Sequence, residues 1–367
     1  MKIEGVELIR ASVTLREPYR TSFGVLHERD LLLLRAVTPA GEGWGECVAW
    51  GDPGFSSEYR DGAADVLERF LIPRILDAPT VTAEAVTGLL GHVRGHRMAK
   101  AALEAAVLDA QLRQAGLSFA DFLGVDRRRV VAGVGIGIRE SIPELLDVVE
   151  GFVGQGYRQV KLKIAPGWDL EPVHAVRDKF PELSVRVDAN AAYTLADAAH
   201  LAKLDAYDLQ LIEQPLGDED LRQHAELARL IRTPIGLDEA ITSVEAAADA
   251  IALRSCRVIN VKPGRVGGYL AARRIHDLCR ANGVNVWCGG IAETGIGRAA
   301  NIALSALPGF IPGDTCASSR HYATDITEHF ELDDQGHLTV PVGPGFGVEP
   351  DPARLKAIAT ATHWIPR

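Results

Sequence analysis

Val160-Lys161-Leu162-Lys163-Ile164 is an apolar run that ends in a charge, and the same device recurs along the chain at a fixed interval. Counting from Lys163, the next charged residues that close an apolar run are Asp188, Glu213, Asp238 and Lys262, separated by 25, 25, 25 and 24 residues. An interval of this length holds one strand, one helix and two short loops, the βα unit of a parallel sheet. Extended backwards, the interval lands on Val131–Gly137, and forwards on Val284–Cys288 and then Gly309–Asp314, which makes eight strand candidates. Helical spacing fills the gaps, as in Ile142, Leu145, Leu146, Val149, Phe152 and Val153. Eightfold βα alternation predicts a TIM-like barrel, and the five charged residues fall at the C-terminal strand ends, where such barrels carry their chemistry. The competing architecture is an open doubly wound sheet.

The chain is longer than the barrel needs. Its 367 residues, 47% of them hydrophobic, can bury a large core and predict a second domain. A net charge of −10, without an extended lysine- or arginine-rich tract, argues against a nucleic-acid partner and for a small-molecule ligand. Five cysteines without a CxxC pair indicate neither a zinc knuckle nor a disulfide framework. The first residues lack a signal-peptide core, and no apolar run is long enough for a membrane span. Together these features predict a soluble, cytoplasmic protein with no membrane partner.

Residues 1 to about 50 alternate as strands of an antiparallel meander, with Leu32–Ala36 and Trp44–Val48 joined by a turn at Thr38–Gly43. Two polar, aromatic loops suited to a ligand interrupt this region, Pro18–Gly24 and Gly51–Ser57. Helices are expected over about 57–76 and 98–114. His92 and His96 have metal-ligand spacing, but no glutamate stands in the HExxH position, so a surface or capping role is expected. Towards the end, His337–Pro341 reads as an edge strand and Pro352–Ala361 as a short helix. The tail is expected to return to the first domain, giving a capping domain over 1–128, a barrel over 129–320 and a returning segment over 321–367.

Asp188, Glu213 and Asp238 close three consecutive strands, so three carboxylates converge on one quadrant of the mouth. Their repulsion is relieved by a hard divalent cation, and three carboxylates leave coordination positions for water and a substrate carboxylate, as Mg²⁺ favours. The alternative is that each carboxylate simply pairs with a neighbouring lysine. Lys163 and Lys262 stand four strands apart, on opposite sides of the mouth, one for each face of a bound substrate. Lys161 points the same way as Lys163 by the two-residue period of a strand, and its charge is expected to lower the Lys163 pKa towards that of a general base.

Taken in order, Lys161-x-Lys163, Asp188-Ala-Asn190, Glu213-Gln-Pro215, Asp238-Glu239 and Lys262-Pro-Gly-Arg-Val-Gly-Gly268 resemble the muconate-cycloisomerase-like branch of the enolase superfamily. Pro18–Gly24, His96–Lys100, Trp287–Gly290, Glu293–Gly295 and Pro312–Thr315 are most similar to the N-acylamino acid racemase / o-succinylbenzoate synthase family. A lysine base working with a divalent ion, as is usual in that superfamily, is implied by the resemblance. The resemblance implies an α+β capping domain formed by both termini, a (β/α)7β barrel, and Mg²⁺ or Mn²⁺ at Asp188, Glu213 and Asp238. It also implies acid/base roles for Lys163 and Lys262, support from Lys161 and Asn190, and assembly as a homo-oligomer, often an octamer. Candidate substrate contacts are Tyr19, Phe23, Arg265, Gly290, Ile291, Glu293 and Asp314. Arg265 either tunes Lys262 or is a surface arginine, and Glu293 either orients a ligand or caps the helix that follows. The expected activity is removal of the proton α to a carboxylate, as racemisation of N-acylamino acids or dehydration to o-succinylbenzoate. Muconate-type cycloisomerisation, dipeptide epimerisation and a silent binding protein on the same fold are the alternatives. Dipeptide epimerases carry Asp-x-Asp on the last strand, where this chain reads Gly313-Asp314-Thr315-Cys316.

Overall fold

A computed structural model describes residues 1–22 and 24–367; Phe23 lies outside the described residues. Strands β1 (Gly5–Thr21), β2 (Gly24–Thr38) and β3 (Gly41–Cys47) form the expected antiparallel meander. The Pro18–Gly24 stretch is not a free loop. After a break in register between Thr14 and Tyr19, the ladder resumes with Tyr19 opposite Leu26 and Thr21 opposite Gly24. A bulge of this kind re-aims the strand end, here towards the other domain.

The unbroken Leu31–Leu34 run is buried because both faces of this sheet are covered. Leu32 and Leu34 join Val6 and Leu8 in the main core, whereas Leu33 packs with Ile9, Trp44, Ile296 and Ile326. Against β3 lies the alanine-rich helix Arg97–Ala115. A Cβ at Gly43 would fall 2.2 Å from the Ala110 nitrogen and one at Gly45 2.1 Å from the Ala102 oxygen, so both positions require glycine for this approach. The helix expected over 57–76 runs from Arg60 to Asp77 through a π turn at Leu67–Leu71.

A short strand β4 (Arg129–Val131) precedes a parallel sheet of seven strands in sequential order. These are β5 (Val134–Ile136), β6 (Gln159–Lys163), β7 (Ser184–Asp188), β8 (Ile212–Glu213), β9 (Ile235–Leu237), β10 (Val258–Val261) and β11 (Asn285–Cys288). Helices such as Ile142–Gly154, Val244–Leu253 and Tyr269–Ala281 lie between them, several capped by a serine or aspartate that accepts from the first turn. The eighth segment departs from the expectation. Residues 309–314 are not a strand, although Phe310 bridges Val286 and the Gly133 N–H donates to the Thr315 carbonyl. Pro308 and Pro312 lack the N–H that a regular ladder needs there.

Beyond the sheet, β12 (His337–Thr339) pairs with β4. The final helix stops at Ile358, short of the expected Ala361, and Ala359–Pro366 forms β13, which pairs along β1. β-Branched Thr360, Thr362 and Ile365 with Trp364 favour the strand. The meander thus becomes a four-stranded sheet, ordered β13-β1-β2-β3, made from both ends of the chain.

Candidate active site

Strand register builds the centre of the site. Lys163 pairs in the ladder with Asp188, and Asp188 with Glu213, so these three side chains stand level on neighbouring strands. Asp238 and Lys262 follow directly after β9 and β10. Asp188, Glu213 and Asp238 are fully buried, and one carboxylate oxygen from each lies within 4.8 Å of the others. Three buried anions this close require positive charge.

Part of that charge comes from lysine. Lys161 Nζ lies 3.0 Å from Asp188 Oδ2, 3.0 Å from Glu213 Oε2 and 2.7 Å from Asp314 Oδ2. Lys163 Nζ donates to Asp188 Oδ2 at 2.7 Å and to Asn190 Oδ1 at 2.5 Å. Lys262 Nζ donates to Asp238 Oδ2 at 2.6 Å, and Arg265 donates to the other oxygen of the same carboxylate. Asn190 passes the chain of contacts on to Glu239 Oε1 at 2.8 Å, and Asn260 donates to Glu213 Oε1 at 2.7 Å. Even so, Glu239 Oε2 and Asp314 Oδ1 are buried without a hydrogen bond, and Glu213 Oε2 has only the Lys161 ammonium beside it. Buried carboxylate oxygens left over in a set of hard oxygen donors fit a divalent cation.

Burial works against the Lys161 ammonium, but Asp314, Glu213 and Asp188 outweigh it and hold its pKa well above the ordinary value. Lys163 behaves likewise. Burial, the largest single influence, lowers its pKa, but Asp188, Tyr19 and Glu213 together raise it by more, and Lys161 acts in the lowering direction expected from the sequence without prevailing. The expected depression of Lys163 is therefore not found in this arrangement of charges, because the negative groups around its ammonium, Asp188 first among them, together outweigh burial and the like charge of Lys161. Glu213 is pushed up to about 8, first by burial and then by Asp188. Asp238 goes the other way: burial raises it, but Arg265 and Lys262 hold it far below the usual carboxylate range.

Above this layer is a cavity of about 100 Å³. The side nearer the parallel sheet includes Lys161, Lys163, Asn190, Lys262 and Asp314, and its other side Leu15, Tyr19, Trp50 and Phe55 from the N-terminal region. Gly290, Ile291 and Glu293 form part of the wall. Arg265 sits behind Asp238 rather than on the wall, fully buried and not at the surface. Residues just after the charged strand ends carry unusual backbone, with positive φ at Asn190 (44°), Ala191 (61°) and Gln214 (37°), and so does Ala292 (53°) in the cavity wall, as constrained sites often do. His92 and His96 lie away from the carboxylate cluster, His96 preceding the Arg97–Ala115 helix as its N-terminal flank.

Sequence reasoning from spacing missed Asn260 and Glu239 beside the carboxylates, and His321 and Phe55 on the cavity wall. Asn260 had a signal: it stands two residues before Lys262 and shares its side of the strand, as Lys161 does with Lys163. Phe55 had only the expectation of a ligand-facing loop over Gly51–Ser57. Its ring stacks on Trp50 at 4.7 Å and lies 5.8 Å from Lys262 Nζ and 5.5 Å from the Arg265 guanidinium.

A parallel sheet with a buried acidic triad, faced by lysines and covered by a sheet built from both termini, defines a class. Residues 3–124 match the family described as mandelate racemase / muconate lactonizing enzyme, N-terminal domain, and residues 144–354 match the enolase C-terminal domain-like family. The chain belongs to the enolase superfamily, and members of that superfamily use a divalent metal. Within it, the chain is 60% identical over 367 residues to an N-succinylamino acid racemase from an Amycolatopsis species, covering 100% of both chains. It is 44% identical to an o-succinylbenzoate synthase from Geobacillus kaustophilus, over 96% of this chain and 94% of that one. A solved enolase-superfamily structure from Listeria innocua superposes with a TM-score of 0.96 at 40% identity, covering 100% and 99% of the two chains. No helix among the described residues is long and apolar enough to cross a membrane.

Proposed function

We propose that this chain is a metal-dependent enzyme that removes the proton α to a carboxylate and racemises N-acylamino acids, with N-acetyl or N-succinyl groups as the acyl class. The observation that carries the reading is the placement of Lys163, at the end of β6, and Lys262, directly after β10, on one cavity, each anchored by a different carboxylate of the same triad. Asp188, Glu213 and Asp238 would hold Mg²⁺ or Mn²⁺, and such an ion supplies positive charge against the negative charge that develops on the substrate carboxylate. Lys163 as a neutral amine would take the proton from one face of the α-carbon while Lys262 as an ammonium returns one to the other, or the reverse for the opposite enantiomer. A cation drawing on the Asp188 and Asp238 carboxylates would weaken the charge that holds each lysine protonated. Lys161 and Asn190 hold Lys163 and its carboxylate partner in place. Arg265, bound to the same carboxylate as Lys262, sets the charge around that lysine. Tyr19, Gly290, Ile291, Glu293 and Asp314 shape the space around the substrate.

Syn-dehydration to o-succinylbenzoate is a second reading, favoured by relatives of that name at 44% identity. It needs one lysine as base and leaves the other as a cation beside the developing anion. The arrangement of seven parallel strands, with residues 309–315 bonded to both Val286 and Gly133, supports closure into a (β/α)7β barrel. The capping domain would comprise 1–128 with the returning segment 321–367, around a barrel of 129–320. As in the family it resembles, the enzyme is expected to work as a cytoplasmic homo-oligomer, with the octamer as the assembly that light scattering would detect.

Turnover of N-acetyl and N-succinyl amino acids, dipeptides, muconate and the o-succinylbenzoate precursor tests the reading. Racemisation of the N-acyl substrates with Mg²⁺ or Mn²⁺, lost in chelator, is the expected result. Full activity in chelator, or turnover of dipeptides or muconate alone, would overturn it.

A further inference from the structure

Glu46 lies outside the reacting set. It is on β3, is 7% exposed, and does not line the substrate cavity. Its carboxylate reaches instead across to the barrel helix Gly295–Ser305. The Thr294 N–H donates to both of its oxygens at 3.0 and 3.1 Å, the Thr294 hydroxyl donates at 2.7 Å, and the Gly297 N–H donates at 3.3 Å. One side chain from the N-terminal sheet therefore takes up unpaired donors of a helix start in a different part of the chain.

Immediately before that helix start comes Gly290–Glu293, a wall of the cavity. The wall is tied to the same point. Glu293 Oε2 accepts the Ile291 N–H at 2.8 Å, Arg298 donates to the Glu293 carbonyl at 3.1 Å, and the Tyr322 hydroxyl donates to the Ala292 carbonyl at 2.5 Å. Gly297 leaves no slack: a Cβ there would come 2.7 Å from Glu293 Cγ and 3.3 Å from Glu46 Oε2. A second cavity, of about 20 Å³, is lined by both Glu46 and Glu293, and Glu293 and Asn301 border both this space and the substrate cavity. Movement of Glu46 has only one layer of side chains to cross before it reaches the substrate.

We propose that Glu46 is a positioning residue that fixes the start of the Gly295–Ser305 helix and through it the Gly290–Glu293 wall, so that a residue with no path to substrate sets which acyl or side-chain group the site accepts. This rests on the N-acylamino acid reading above for its substrates, but not for its structural readout. A carboxylate suits the position because donors converge on both oxygens. Glutamine would turn one acceptor into a donor facing N–H and O–H groups. Burial and then the neighbouring Glu293 push the Glu46 carboxyl up to about 7, and the bonds from Thr294 act against that cost.

The test uses Glu46→Gln and, as a milder change that leaves the carboxylate in place, Thr294→Val, with Thr294→Ser as the rescue. Across N-acyl amino acids of increasing side-chain size, KM is expected to rise about tenfold and the ranking of substrates to change, with kcat within about threefold of wild type. Thr294→Ser should restore the wild-type values. Amide hydrogen exchange at Ile291 and Thr294 should quicken about tenfold in both altered proteins while exchange in β6–β8 is unchanged. Unchanged KM and ranking in folded variants, or a fall in kcat alone, would overturn the proposal. Should the wild type turn over none of these substrates, the substrate reading fails by itself. The exchange measurement still decides the positioning role, and unchanged exchange at Ile291 and Thr294 overturns it.

Discussion

Along β6–β10, charged groups sit on or just past strand ends and the ladder itself aligns Lys163, Asp188 and Glu213. Across the cavity, the wall made by residues 289–315 belongs to no regular strand beyond Cys288, and groups from elsewhere hold it: Glu46 from β3, and Tyr322 and Asp325 from the returning segment. One side is rigid by backbone pairing and carries the charge. The other is placed by buried side chains and shapes the space. Chemistry and selection are thus assigned to two kinds of support, and changes to each should produce different kinetic losses.

The largest effects are expected on the charged side. Lys163→Ala or Lys262→Ala should lower racemisation by about 10⁴, because each lysine serves one face and its partner cannot replace it. Chiral chromatography of the product measures this, and loss in one direction only would break the assignment. Glu213→Gln should cost about 10²–10³ in kcat together with Mn²⁺ affinity in calorimetry, since it removes one of three converging carboxylates. A variant with normal metal binding and normal kcat would remove Glu213 from the centre.

A smaller effect is expected where the N-terminal region meets the helix Tyr269–Ala281 through Glu104, whose carboxylate accepts the Tyr269 and Leu270 N–H groups at 2.9 Å each. Burial pushes Glu104 up to about 7 against an ordinary 4.5. The folded chain then holds this proton up to a higher pH than the unfolded chain, so wild type loses stability as pH rises from about 4.5 through 7. Glu104→Gln cannot ionise. Its stability relative to wild type should improve by up to about 3 kcal/mol between pH 4.5 and 8. Urea unfolding at both pH values reads the difference, and a gap independent of pH would mean that Glu104 is not buried as an acid.

The same division explains what was legible in the sequence. Lys163, Asp188, Glu213, Asp238 and Lys262 stood out because a charge at the end of an apolar run, repeated at one interval, is a local pattern. Glu46 and Glu104 carry no such mark. Each lies in an ordinary strand or helix, and its partners stand 248 and 165 residues away, so only the folded chain shows that they are buried. The same reason hid β13, whose alanine and threonine content suits either state until β1 offers a pairing edge. The eighth segment kept the interval but not the strand, since proline removes ladder donors without disturbing the count. Phe55 was hidden by distance in sequence from the lysine its ring covers.

The central claim, one lysine for each face of the α-carbon, is tested most directly by isotope exchange. Lys163→Ala and Lys262→Ala would each be incubated in D₂O with separate D and L N-acylamino acids, and the α-proton followed by NMR. Each variant is expected to exchange at most one enantiomer, the two variants choosing opposite ones, with no racemisation in either. Exchange of both enantiomers at wild-type rates in one variant would show that the missing lysine serves neither face, and would contradict the two-lysine mechanism.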